Sequence, residues 1–289
     1  MDDIVQCESI SGSLEIGDIG SWEMPCLTTV AKSLIIEDND ALTNLDGLPN
    51  LADVAGGSGG LIISDNDTLT SLDGLSSLTT IGNNDNHGYL YIRDNAALVN
   101  IDSLSNLTSI GEELFILRNA ALTSLDGLSR ITFVSTLHII DNSVLTSLSG
   151  LSNITTIDDL DIVGNTALTS LDGLSKTTSI GGDLHITYNT ALTSLDGLSN
   201  ITSVGGILNI TDNSALTSLD GLSNLTNVAD EGGGGLIIGN NDALTNLDGL
   251  SSLTFVGNND NHGYLYIRDN ASLVNIDSLS NLTSIGEEL

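Results

Sequence analysis

The stretch Leu184-His185-Ile186-Thr187-Tyr188-Asn189-Thr190-Ala191-Leu192-Thr193-Ser194-Leu195-Asp196-Gly197-Leu198-Ser199-Asn200-Ile201-Thr202-Ser203-Val204 decides the fold. In Leu184-His185-Ile186 the two aliphatic side chains share one face of a short strand and the residue between them points the other way. After Asn189 the apolar residues fall at every third position, which is corner or 3₁₀ spacing and not strand alternation. The same unit returns with its first leucine at Leu34, Leu61, Leu90, Leu114, Leu137, Leu160, Leu184, Leu208, Leu236 and Leu265, and Leu289 opens another. The intervals run from 23 to 29 residues. A period in that range is the signature of a solenoid, in which one turn cannot bury its apolar face without its neighbours.

Stacked coils place the Leu-x-Ile strands side by side in a parallel sheet, about 4.8 Å apart. An asparagine then turns the chain in every coil, at Asn39, Asn66, Asn95, Asn119, Asn142, Asn165, Asn189, Asn213, Asn241 and Asn270. An inward asparagine at each corner satisfies backbone groups of its own turn and of the next coil, so a structural ladder is expected. An aspartate column follows at Asp46, Asp73, Asp102, Asp126, Asp172, Asp196, Asp220, Asp248 and Asp277, interrupted once by Ser149. These carboxylates are expected to cap the next turn by accepting backbone N–H bonds. No cofactor is expected, and calcium along this column is a weak alternative because the column lacks a dense oxygen cage.

The charge balance sets limits on partners. The 289 residues carry 38 acids against six Lys and Arg, a net charge of −32. Nucleic-acid binding is excluded on that balance, because a phosphate backbone needs a basic footprint. No apolar run is long enough to insert into a membrane. With 40% hydrophobic residues the chain has ample material for a core, and its 3% of aromatics suits a thin aliphatic interior.

Residues 1–33 read as an N-terminal cap and residues 34–289 as ten coils. Cys7 and Cys26 bracket the irregular segment in the cap and are expected to form a disulfide. A longer repeat overlies the short one: Gly82–Leu114 and Gly257–Leu289 differ only at Ala97 and Ser272, an offset of 175 residues or seven coils. Leu289 corresponds to Leu114, which the first copy follows with Phe115, Ile116 and Leu117, so further seven-coil blocks are expected beyond Leu289.

The segment from Ile180-Gly-Gly-Asp-Leu-His-Ile186 through Asn189 and Leu192-Thr-Ser-Leu195 to Gly197-Leu-Ser-Asn-Ile-Thr-Ser-Val204 resembles the receptor L-domain family, a leucine-rich-repeat relative. The mark is an aliphatic residue four positions before Leu-x-Ile, as in Ile180 with Leu184, Ile110 with Leu114 and Val204 with Leu208. The resemblance spans residues 34–289. It implies a right-handed parallel β-solenoid at the cell surface or outside the cell, and no catalysis. Consistent with that, no nucleophile–base pair, phosphate loop or zinc spacing is present.

Two kinds of surface column are candidates for function. Sequons at Asn106, Asn153, Asn200, Asn224 and Asn281 share one position of the coil, where Arg130 and Lys176 also occur, so the column is expected to face water and to accept glycans. Asn209 is a further glycosylation candidate, whereas the sequons at Asn66 and Asn270 belong to the inward ladder. The outward mid-strand column contributes Ile35, Ile62, Tyr91, Phe115, Ile237 and Tyr266, flanked by Tyr89 and Tyr264, and is the expected interface. Long loops at Asn83–Gly88 and Asn258–Gly263 are placed to fold over it. Between its apolar ends lie His138, Asp161 and His185, read as a solvated charge column and not as a metal site.

These features point to an extracellular structural or adhesive repeat protein, the subunit of a glycosylated filament or wall layer, that self-associates or binds another extracellular protein or glycan. A receptor-like module for a protein or carbohydrate ligand is the alternative. An ice-binding protein is a third reading, from the aligned threonines Thr70, Thr123, Thr146, Thr169, Thr193, Thr217 and Thr245, though these sit at a corner and not on a flat face.

Overall fold

The computed structural model describes residues 8–54, 59–82, 87–229, 234–257 and 263–286. They form two compact units, the first comprising residues 1–136, 141–144 and 149–153 and the second residues 137–140, 145–148 and 154–289. Each unit is a parallel β-solenoid, and together they hold about ten coils of about 24 residues.

In unit 1 the Leu-x-Ile strands Leu14–Ile16, Leu34–Glu37, Leu61–Ser64, Tyr89–Arg93 and Glu113–Leu117 lie in sequence order in one sheet. A second sheet stacks the two-residue strands Ser9–Ile10, Thr29–Val30, Asp53–Val54, Thr80–Ile81 and Ser109–Ile110. Unit 2 repeats the plan with Asp159–Val163, Leu184–Thr187, Leu208–Thr211, Gly234–Gly239 and Gly263–Arg268. Like residues pair with like throughout: Leu184 opposes Leu160 and Leu208, and Ile186 opposes Ile162 and Ile210. Slipping the register by one residue would turn each aliphatic pair outward, so the pattern fixes it. Leu14 and Ile16 pair in the same way with Leu34 and Ile36, so the segment before residue 34 already contributes stacked strands.

The interior is aliphatic. Leu184, Ile186, Leu192, Leu195, Leu198, Ile201 and Val204 have no exposed surface. Each such leucine contributes roughly 2 kcal/mol relative to an exposed one. The expected spacing of three resolves into short 3₁₀ turns, for example Asp172–Leu174, Asp196–Leu198 and Asp220–Leu222.

All ten corner asparagines form a ladder within their units, and nine of them are fully buried. Asn189 shows the pattern. Its Nδ2 donates to the carbonyl of Ile162 in the preceding coil at 2.7 Å and to that of Thr187 at 3.1 Å. Its Oδ1 accepts the backbone N–H of Asn165 at 3.0 Å, and its own N–H passes to Asn213 Oδ1. Unit 1 repeats these bonds from Asn39 to Asn66, Asn95, Asn119 and Asn142. One side chain therefore satisfies three backbone groups that the corner removes from the sheet.

The residue before each ladder asparagine has a positive φ, from 53° to 68°, in all ten coils. Asp, Asn and Gly tolerate that conformation and fill eight of the ten positions. The exceptions are Arg118 and Tyr188.

The aspartate column departs from the expectation. No aspartate side chain caps the 3₁₀ turn it opens at Asp126, Asp172, Asp196, Asp220 or Asp248. The cap comes from two residues earlier, where Ser124, Ser170, Ser194 and Ser218 Oγ accept the aspartate N–H at 3.0 Å. The carboxylates themselves are exposed, and water screens their mutual repulsion. Some bind serine hydroxyls of the next coil, as Asp73 does with Ser103 at 2.8 Å and Asp126 with Ser149 at 2.6 Å.

Candidate functional site

In unit 1 the outward column reads Glu15, Ile35, Ile62, Tyr91 and Phe115 in strict register. Ile35, Ile62, Tyr91 and Phe115 are all half-buried. The rings stack on one another: Tyr89 on Tyr91 with centroids 4.5 Å apart, and Tyr91 on Phe115 at 4.6 Å and 4°. Parallel stacking at coil spacing occupies the ring faces and turns the ring edges outward.

The phenol groups are satisfied from within. Tyr91 donates to Glu113, and burial together with that carboxylate pushes its hydroxyl well above the usual tyrosine range. Tyr89 Oη lies 3.3 Å from Ser33 Oγ. Gly60 makes room for Tyr89, since a Cβ there would fall within 2.0 Å of the Tyr89 carbonyl. What the face presents is thus an apolar stripe whose polar groups already have partners.

Unit 2 repeats the aromatic end. Tyr264 stacks on Tyr266 at 5.0 Å, Tyr266 is 39% exposed, and Ile237 opposes it in register. Gly235 makes the same room for Tyr264 that Gly60 makes for Tyr89. Nothing is described at residues 83–86 and 258–262, so most of each loop expected to cover the stripe, His262 included, lies outside the described residues. Cys7 lies outside them as well, so the expected bridge to Cys26, which is half-buried, has one end undescribed.

The middle of the unit 2 column is ionic. Asp161 binds His185 Nδ1 through Oδ1 at 2.9 Å and approaches His138 Nε2 through Oδ2 at 3.2 Å. Both carboxylate oxygens face imidazoles, and no group of three His, Cys, Asp or Glu converges on a common point among the described residues. Asn209 opposes His185, and its Oδ1 is buried without a partner.

This column predicts a pH dependence. The hydrogen bond to Asp161 raises the His185 pKa above 6.5, with Asp159 and Asp183 adding to it. Burial pushes Asp161 up, but the His185 bond and both imidazoles outweigh it and bring its pKa below 3.8. The histidine contribution to stability is complete below pH 6.5 and fades as pH rises through the raised value. The aspartate contribution holds above pH 3.8 and fades as pH falls through the lowered one. Thermal melts of wild type and His185→Gln should therefore differ most between about pH 4 and 6.5 and converge by about pH 8.5. A difference that grows toward pH 8.5 would contradict this.

The sequon column has a structural use. Nδ2 of Asn106, Asn153, Asn200, Asn224 and Asn281 donates to a carbonyl of the preceding coil, at 2.6–2.8 Å. Asn50 and Ser77 make the same bond at 2.7 Å. Seven short side chains of the column thus donate to the preceding coil, while Arg130 and Lys176 hold the same position in two other coils. Asn209 makes no such bond to a preceding coil. The threonines Thr70, Thr123, Thr193, Thr217 and Thr245 likewise donate their hydroxyls to carbonyls one coil back.

The family comparison agrees with this architecture. The model of the receptor L domain matches residues 6–103 and 176–283, more than half of the chain. The chain belongs to the receptor L-domain family. In this receptor L-domain chain the strands form the parallel sheet and the corners carry the ladder. No curated protein matches the chain. Among solved structures, the TLR13–ssRNA13 complex is similar at 15% identity and a TM-score of 0.26, covering 87% of this chain and 44% of that one. The functional domain of InlJ from Listeria monocytogenes, which includes a cysteine ladder, is similar at 18% identity and a TM-score of 0.20, with 94% and 66% covered. The chain spans less than half the length of the first of these.

One feature of this receptor L-domain chain is set by backbone geometry that a sequence does not carry. The positive-φ column, with Arg118 and Tyr188 in it, was visible as a run of Asp, Asn and Gly before each ladder asparagine, yet only the backbone shows why those residues stand there.

Proposed function

We propose that this chain is an extracellular, non-enzymatic adhesive repeat protein that holds a partner protein against the outward strand face. The supporting observation is the stripe Ile35, Ile62, Tyr91 and Phe115, half-exposed and in register along the outward strand face of unit 1. Its ring edges and aliphatic side chains suit an apolar partner surface. Its hydroxyls are already bonded, so a sugar finds few free polar groups there. Because the rings are stacked, their faces are not open platforms for a pyranose.

Buried aromatic anchors carry a disproportionate share of interface energy. Beads coated with the wild-type chain should adhere to a cell-surface preparation from the source organism, and beads coated with Tyr91→Ala/Phe115→Ala should lose adhesion by roughly tenfold or more. Equal adhesion of both, or adhesion of neither, would remove the stripe from function.

A filament subunit is a second reading, favoured by the repetition of the aromatic stripe. Tyr89 and Tyr91 recur as Tyr264 and Tyr266, so one chain carries equivalent contact surfaces in each unit. Two such sites support avidity or lateral assembly without new contacts. Electron microscopy at high concentration and physiological salt separates the readings, since an adhesin remains dispersed and a subunit forms ordered fibres.

A further inference from the structure

At the corner of unit 2, away from the sheet face, runs an open groove whose lining includes Tyr188, Thr190, Asp212, Asn240, Asp242 and Asp269. Tyr188 is 56% exposed, more than Tyr266 at 39%. It stands in the column whose φ is positive in every coil, at 60°, where the other coils of unit 2 hold Gly164, Asp212, Asn240 and Asp269. An aromatic ring gains nothing from that backbone, and here it gains no burial either.

Among the described residues, the carboxylates beside it have no countercharge. Asp212 accepts one hydrogen bond from Asn240 Nδ2, at 3.0 Å, on Oδ1. Among the described residues, no lysine or arginine lies within ion-pair distance of Asp212 or Asp242.

Unit 1 shows what the same corner takes. Arg118 occupies the equivalent position of its coil, with the same left-handed backbone at φ 54°. Its Nε and Nη2 bind the two oxygens of Asp94 at 2.6 and 2.7 Å, in the fork geometry that suits a carboxylate. The hydrogen bonds to Asp94, with the charges of Asp94, Asp141 and Asp65, raise the pKa of the guanidinium. The column thus concentrates negative potential, and at Arg118 one guanidinium of this chain already pairs with a carboxylate of it.

We propose that the unit 2 groove receives an arginine side chain from a basic partner segment, stacked on the Tyr188 ring and hydrogen-bonded to Asp212 and Asp242. A guanidinium satisfies both halves of the site. It stacks on an aromatic face and pairs with carboxylates in a plane, which an ammonium does less well. An anion is repelled. A neutral sugar would leave all three carboxylates of the groove without a countercharge. This site uses other residues than the apolar stripe, so it stands or falls independently of the adhesive reading.

The test uses the whole chain and the peptide acetyl-Gly-Arg-Gly-Arg-Gly-amide, titrated calorimetrically in about 0.15 M salt, where loose long-range attraction is largely screened. Versions with lysine or with uncharged citrulline serve as comparators. The arginine peptide should bind saturably, at least about threefold tighter than the lysine peptide, and the citrulline peptide should not bind. Tyr188→Asn keeps a residue that tolerates the backbone, and Asp212→Asn removes one charge. Each should weaken binding by roughly fivefold or more, while Asp196→Asn, which removes the same charge from a remote exposed column, should change it by less than about twofold. Tyr188→Phe should bind like wild type. The proposal is overturned by an absence of saturable binding, by equal effects of Asp212→Asn and Asp196→Asn, by an inert Tyr188→Asn, or by a neutral oligosaccharide that binds at Tyr188 when the peptide does not.

Discussion

Asn189→Ala should cost about 3–5 kcal/mol, among the largest single losses available in this chain. The side chain is fully buried and bonds to three backbone groups. Two of these, the Ile162 carbonyl and the Asn165 N–H, belong to the preceding coil. Truncation to alanine leaves all three in a pocket without water, and each unpaired buried group costs about 1–3 kcal/mol. Asn189→Asp should be at least as damaging at neutral pH, although it differs by one atom. A carboxylate offers no hydrogen to the carbonyls of Ile162 and Thr187 and sets a buried charge against their oxygens. Urea melts of both variants check the magnitude. A loss below about 1 kcal/mol in either would mean that the ladder is decoration.

Gly197→Val should be comparably severe, at about 3 kcal/mol or more, and Gly197→Ala somewhat milder. The glycine lies in the 3₁₀ turn Asp196–Leu198. A Cβ there would sit 1.9 Å from the carbonyl oxygen of Leu171, one coil back, and 2.2 Å from its carbon. The obstacle is backbone, so no rotamer change relieves it, and the two coils must separate. The same approach recurs at Gly173 against Leu148 and at Gly221 against Leu195. Two coils carry serine at this position, Ser103 and Ser278, and both hydroxyls bind the aspartate one coil back. Gly197→Ser is therefore the informative companion to Gly197→Val: the account expects it to be milder, because the hydroxyl has Asp172 as an acceptor. Equal melting temperatures for wild type and Gly197→Val would show that coil spacing is looser than the geometry demands.

Much of this was legible in the residues alone. The alternation in Leu184-His185-Ile186 fixes which face is inward, and the recurrence of asparagine five residues after each leading leucine marks the corner. Both are local patterns repeated under one constraint, so each copy reinforces the reading. The aspartate column was misread because its role depends on a neighbour two residues away. Ser194 and Asp196 are both plausible caps, and only the turn geometry shows that the serine oxygen reaches the N–H. The sequon column faces water, as its Arg130 and Lys176 imply, and it carries a second role that a sequence does not show. Asn, Ser, Arg and Lys at one position signal exposure, and Asn106, Asn200 and Ser77 in addition donate a side-chain hydrogen bond to the previous coil, a partner too distant in sequence to be read. Tyr188 stands out only in the structure, because its positive φ is not legible in the residues around it. Contacts between coils involve residues 20 to 32 apart, and a linear reading finds them only when the repeat is in perfect step.

Each coil borrows its backbone satisfaction from the next, and amide hydrogen exchange in Asn189→Ala measures that loan most directly. The account predicts that protection falls together across Asp159–Val163, Leu184–Thr187 and Leu208–Thr211, with the loss spreading to both sides of the substituted corner. Loss confined to the few amides beside residue 189, with the neighbouring strands as protected as in wild type, would contradict it.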